Sequence, residues 1–161
     1  MEIAERCNTV VYCTLENAGL FGPDTRIEAG QPGGAIRTDF GSIKFTSALH
    51  GNGGPGLACG FLITIEEKKI YFAGDTALTM DMALLKDESI DVALLPIGGR
   101  FTMDPEDAVS AASLIKPKAV IPMHYNTMPP IIQDPDSFKV MLETQTDARA
   151  IILKPGMQYE L

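Results

Sequence analysis

The hydrophobic positions in the first half of the chain fall in short runs separated by turn-forming residues, a rhythm that predicts strands. Residues 2–7, EIAERC, read as the end of a helix. TVVYCTL (9–15) is a short, β-branched run of the buried-strand kind. ENAGLFGP (16–23) reads as a turn or short helix bounded by Gly22 and Pro23. Residues 25–49 predict antiparallel strands, with GQPGG (30–34) as a turn. GAIRTDF and SIKFTSAL flank Gly41; Ile43 and Phe45 face one way, Lys44 and Thr46 the other. HGNGGPG (50–56) is a glycine-rich loop. GFLITI and KIYFAG form two further runs joined by EEKK, a charged hairpin tip, and MDMALLKDE (80–88) predicts a short helix.

The second half changes rhythm. DVALLPI (91–97) and KAVIPM (118–123) are continuous apolar runs of the buried-strand kind. Between them, DPEDAVSAASLIK (104–116) predicts a helix: Asp104 caps it, Pro105 suits the first helical position, and Glu106 and Asp107 favour the positive end of the dipole. Ala108, Ala111, Ala112 and Ile115 supply its buried stripe. DPDSFKVMLETQT (134–146) repeats the Asp-Pro start, and ARAIILKPG with MQYEL closes the chain as strand and turn. A β-rich first part followed by strand–helix alternation predicts an α/β (α+β layered) protein with helices covering sheets. No repeat or linker divides residues 1–161, so a single domain is expected.

Composition narrows the function classes. Thirteen basic against 21 acidic residues give a net charge of −8, which disfavours non-specific nucleic-acid binding. A small anionic substrate in a local pocket stays compatible with it. Three cysteines without CxxC spacing argue against a disulfide framework or a zinc knuckle and fit a reducing cytoplasm. No apolar window is long enough for a membrane span, and the charged start MEIAERCNTV lacks the apolar core of a signal peptide.

The run KKIYFAGDT raises the chemical question, because a strand leaving the core ends on Asp75. Only two histidines exist. His50 follows the strand SIKFTSAL and His124 follows KAVIPM, so His50, Asp75 and His124 all stand where predicted strands end. If those ends share one edge, an imidazole–carboxylate set suited to zinc, iron or manganese converges there. Each residue also has a plain reading: the histidines as hydrogen-bonded loop residues, Asp75 as a turn residue or cap. Cys59, between apolar neighbours, reads as packing; IGGR (97–100) lacks the Walker pattern, and no G-x-S-x-G elbow is present.

As an ordered set, GDT, PIGG-FTM-PEDA and VIPMHYNT, with SALHG and the closing ILKPG, resemble the metallo-β-lactamase-fold hydrolases. They are most similar to the uncharacterised metal-dependent hydrolase branch related to ascorbate-phosphate lactonases. The resemblance implies an αββα sandwich and a site in which metal-activated water opens an ester, lactone, amide or phosphodiester bond. It implies that His50 completes a first metal site, that Asp75 bridges two metals as the catalytic carboxylate, and that His124 serves the second. Zinc is the implied cofactor, with manganese or iron as alternatives. Arg100, Tyr125 and Asn126 lie beside the expected site loops and are substrate-contact candidates for a small molecule.

The sequence departs from the family at one point. The H-x-H-x-D-H motif that supplies further ligands is not found in these residues. The expectation is an N-terminally truncated form of the fold, short of metal ligands, with apolar surface and sheet edges that favour a homo-oligomer, strand-exchanged in form. A non-catalytic oligomeric domain without bound metal is therefore the competing reading.

Overall fold

Seven of the apolar runs assemble into one mixed sheet, and the direction of each strand decides which loops meet. The computed structural model describes residues 2–51 and 56–161. Residues 52–55 of the expected glycine-rich loop lie outside the described residues.

A short helix, α1 (Glu2–Cys7), leads into β1 (Val10–Thr14) and the single turn α2 (Leu15–Ala18). β2 (Arg26–Gly30) then pairs parallel to β1 in a small two-stranded sheet. This corrects the expectation that all strands of residues 25–49 are antiparallel neighbours. The antiparallel part begins after the turn, with β3 (Ala35–Thr38), β4 (Gly41–Ser47), β5 (Cys59–Ile65) and β6 (Lys68–Phe72). The charged hairpin tip is present, with Glu66 in the left-handed region at φ 54°.

From β6 onward the sheet continues in parallel through β7 (Val92–Pro96), β8 (Ala119–Met123) and the two-residue β9 (Arg149–Ala150). Its order is β3-β4-β5-β6-β7-β8-β9. Helices α3 (Pro105–Ile115) and α4 (Pro135–Gln145) start where the two Asp-Pro pairs predicted. The Asp104 carboxylate accepts the N–H of Asp107 at 2.8 Å, and that of Asp134 accepts the N–H of Asp136 at 3.0 Å. The helix expected at residues 80–88 is instead a 3₁₀ turn, Met80–Leu85. Its two buried side chains, Met82 and Leu85, are three residues apart, the spacing that a 3₁₀ turn brings onto one side.

Register separates the two faces. Leu62, Tyr71, Ala93, Val120 and Ala150 share one row and are all buried. They form the main core with Ala108, Ala111, Ala112 and Ile115 of α3 and Phe138 and Leu142 of α4. Burial pushes the Tyr71 hydroxyl up to about 12. Phe45, Phe61, Phe72, Leu94 and Ile121 form a row on the opposite face. The small sheet approaches this face through Gly30, where an added Cβ would stand 2.5 Å from the Phe45 ring. Two sheet layers with helices on the outer face of the larger one match the layered α/β expectation. Among the described residues, no helix is long and apolar enough to cross a membrane.

Two predictions test this frame. A Cβ at Gly60 would lie 2.8 Å from the carbonyl oxygens of Phe72 and Ala73, so the strands have no room for it. Gly60→Ala is expected to destabilise the fold by roughly 1–3 kcal/mol in urea unfolding. Glu88 holds Lys69 at 2.7 Å and Lys44 at 3.5 Å, and the hydrogen bond from Lys69 keeps its carboxyl below the ordinary glutamate value. A carboxylate depressed in the folded state contributes stability that is present above the unfolded-state pKa and lost as pH falls through the folded one. Melting temperature is therefore expected to fall on acidification below about pH 4.5. Glu88→Gln is expected to flatten that acid limb while lowering the melting temperature at neutral pH.

Candidate metal centre

β4 and β6 both run antiparallel to β5, and β7 and β8 run parallel to β6. All four strands therefore end at the same edge of the sheet. His50 follows β4, Asp75 follows β6, Arg100 follows β7 and His124 follows β8. Open sheets of this kind bind ligands at the carboxyl ends of their parallel strands.

Hydrogen bonds lock these loops to one another. Thr76, fully buried, accepts the N–H of Leu49 at 3.0 Å and donates its hydroxyl to Ala77 O at 2.8 Å. Ala77 N–H in turn donates to Leu49 O at 3.0 Å. The residues beside His50 and Asp75 are thus stitched together. A third loop joins through Met103 N–H, which donates to Thr76 O at 3.0 Å. Gly74, at φ 66°, makes the bend that turns Asp75 out of β6.

Asp75 and His124 meet directly: Oδ2 of Asp75 lies 3.4 Å from Nε2 of His124. Their side chains remain 42% and 29% exposed, so the pair is open to a ligand. Two donors bound at about 2.0–2.2 Å to one tetrahedral ion stand about 3.3–3.5 Å apart, so the observed spacing suits a shared metal. His50 is half-buried on the rim of a neighbouring cavity of ≈420 Å³, which Asp75 also lines with Tyr12, Cys13, Cys59 and Phe72. Among the described residues, no three His, Cys, Asp or Glu side chains are gathered closely enough to hold a metal ion. The fit to a metal is therefore good for the Asp75–His124 pair and incomplete for the set of three.

The two cysteines on the cavity wall join no three-donor group among the described residues. Burial first, then the neighbouring Cys13, pushes the Cys59 thiol up, which suits its reading as packing. Arg100 is exposed, with its guanidinium 5.8 Å from the centre of the Phe101 ring. Tyr125 packs against the core, and burial, then the Asp136 charge, raises its hydroxyl. Asn126 is exposed but not free: its amide donates to Gln133 O at 2.9 Å and accepts Gln133 N–H at 2.8 Å.

Comparison with known proteins assigns the family. The Beta-lactamase superfamily domain matches residues 4–125. The chain belongs to this family. A UPF0173 metal-dependent hydrolase of Natranaerobius thermophilus is 43% identical over the whole chain, which covers 74% of that protein. A second, from Symbiobacterium thermophilum, is 42% identical over 99% of the chain and 74% of its own length. The solved metallo hydrolase Igni18 of Ignicoccus hospitalis superposes with a TM-score of 0.90 at 34% identity, covering 99% of this chain and 73% of that one. The metallo-β-lactamase fold protein YhfI of Bacillus subtilis, at 13% identity and a TM-score of 0.76, shares the fold. The chain is thus a metallo-β-lactamase-fold member of a metal-dependent hydrolase family, and that family implies a divalent metal.

Two parts of the site had no signal of their own. Thr76 was visible only as the last letter of GDT, where a buried knot looks like any turn residue. Gln133 has no pattern at all; its amide reaches Gly98 O at 3.2 Å from a loop far along the chain.

Gly98 tests how tightly the site is framed. An added Cβ there would stand 2.5 Å from His124 O and 3.2 Å from its Nδ1. Gly98→Ala is expected to displace His124 and to lower stability by roughly 1–3 kcal/mol. A thermal melt and the imidazole NMR signals of the two histidines check both effects.

Proposed function

We propose that this chain is part of a hydrolase in which Asp75 and His124, with His50 drawn in from the cavity rim, hold a divalent metal, zinc in first place. The observation that carries the reading is the 3.4 Å approach of Asp75 Oδ2 to His124 Nε2 at the shared strand edge. When bound, the metal supplies a water of lowered pKa and a Lewis-acid contact for the attacked group. Manganese or iron fits the same donor types. The substrates in this reading are small molecules with an ester, lactone or phosphodiester bond. Asp75 keeps a second carboxylate oxygen with which to orient the attacking water and accept its proton. Arg100, at the end of β7, is the cation that would meet an anionic group on the substrate. Tyr125 and Asn126 directly follow His124, and their described contacts favour framing over substrate contact.

Two histidines do not complete a dinuclear centre. The competing reading, a non-catalytic oligomeric domain, is favoured by the lack of any three-donor group among the described residues. Exposed Leu15, Leu20, Leu49 and Phe72 would then serve self-association of the strand-exchanged kind. A cytoplasmic location is consistent with the three free cysteines, and the charge of −8 disfavours a nucleic-acid partner.

Zinc titration of the metal-stripped chain decides between the two. The parent is expected to bind zinc, and Asp75→Asn or His124→Ala to weaken that binding by about tenfold or more. His50→Ala is expected to have the smaller effect. Absence of zinc binding by the parent, together with no turnover of generic ester and phosphodiester substrates, would leave the oligomeric reading, to be checked by sedimentation.

A further inference from the structure

A histidine that ligates a metal ordinarily donates its second ring nitrogen to a carboxylate or carbonyl, and that hydrogen bond fixes the plane of the ring. Among the described residues, His124 is offered no such partner. Its Nδ1 is buried and has no hydrogen-bond partner among the described residues, while Nε2 faces Asp75. The orientation of the ring must come from elsewhere, and its backbone indicates where. His124 and Asn126 both sit in the left-handed region, at φ 55° and 58°. Such a conformation persists only when its surroundings hold it.

The holding contacts are explicit. Both ends of the Asn126 side-chain amide engage the backbone of Gln133: Oδ1 accepts at 2.8 Å and Nδ2 donates at 2.9 Å, closing the loop 126–133 like the clasp of a ring. Asn126 N–H adds a bond to Ile131 O at 2.9 Å, and Ile131 is buried. The side chain of Gln133 then crosses to Gly98 O at 3.2 Å. Gly98 is the residue whose missing Cβ leaves room for His124 O and Nδ1. The chain of contacts therefore runs Asn126–Gln133–Gly98 and ends beside the His124 carbonyl and Nδ1.

We infer that Asn126 and Gln133 are positioning residues: together they form a latch that replaces the missing ring hydrogen bond and aims His124 Nε2 at Asp75. The inference deepens the metal-centre reading and rests on it for its purpose, although the latch itself is testable without metal. It also gives Asn126 a task other than substrate contact.

With only two histidines, the imidazole Cε1–Hε1 correlations of labelled protein contain one signal per ring, two in all, and His50→Ala assigns them. In the metal-free parent, Asp75→Asn is expected to shift the His124 signal and leave that of His50 nearly unmoved. In the Asn126→Gly background, where glycine keeps the left-handed backbone but loses the latch, that response is expected to fall by about half or more. Gln133→Met is expected to act in the same direction. Asn126→Asp, which tolerates the same backbone and can still accept Gln133 N–H, is expected to restore most of the response. An undiminished response in Asn126→Gly and Gln133→Met, with unchanged circular dichroism, would overturn the inference. So would a His124 signal in the parent that ignores Asp75→Asn. If Asn126→Gly does not fold, Gln133→Met alone decides. Zinc titration of the same variants separates the two claims: a lost His124–Asp75 response with no zinc binding in any form, parent included, supports the latch and rejects the metal reading. Zinc binding in the parent that weakens by about tenfold in Asn126→Gly supports both.

Discussion

The buried Thr76 is the contact on which the geometry of the site depends. Its hydroxyl ties the Leu49 backbone to the loop carrying Asp75, and its carbonyl accepts Met103 N–H from the loop after β7. A buried polar group inside a protein is costly unless paired, so once these bonds form there is little freedom to exchange them. The three loops are therefore set relative to one another before any ligand arrives. Without that knot, His50 and Asp75 would stand at the ends of two strands that are not neighbours in the sheet, with β5 between them.

On the other side of the site the problem is solved differently. His124 is framed by close backbone approach at Gly98 and by the amide groups of Asn126 and Gln133. The two halves of the Asp75–His124 pair are thus anchored by separate devices, a hydroxyl knot and an amide latch. Both rest on the same core: β6, β7 and β8 present Tyr71, Ala93 and Val120 to the helices, and small alanines on α3 let that helix lie close. The rigid sheet sets where strand ends fall, and the loops need only set the last few ångströms.

The main elements were legible because their signals are local. The Asp-Pro starts of α3 and α4, the buried runs of β7 and β8, and the alternation of Ile43 and Phe45 in β4 each depend on neighbours along the chain. Where the reading failed, the deciding contact was distant. β2 looked like one more antiparallel strand, yet it pairs parallel to β1 because residues 16–25 carry the chain back to the start of β1. The residues 80–88 looked helical, yet Met80–Leu85 closes as a 3₁₀ turn that buries Met82 and Leu85. Asn126 looked like a free polar residue beside a ligand, and the Gln133 that occupies it could not be seen from its own surroundings in the chain.

The sequence by itself determined the layered α/β class, the strand ends on which His50, Asp75 and His124 stand, and the family likeness carried by GDT and VIPMHYNT. These follow from periodicity, capping and short ordered motifs, which act over a few residues. Only the tertiary structure decided that His124 and Asp75 come within 3.4 Å while His50 joins no three-donor group among the described residues. Strand direction brings loop ends to one edge, but contact between side chains depends on loop bonds such as those of Thr76 and Gln133. Those bonds join residues far apart in the chain, and folding must bring them together before they exist.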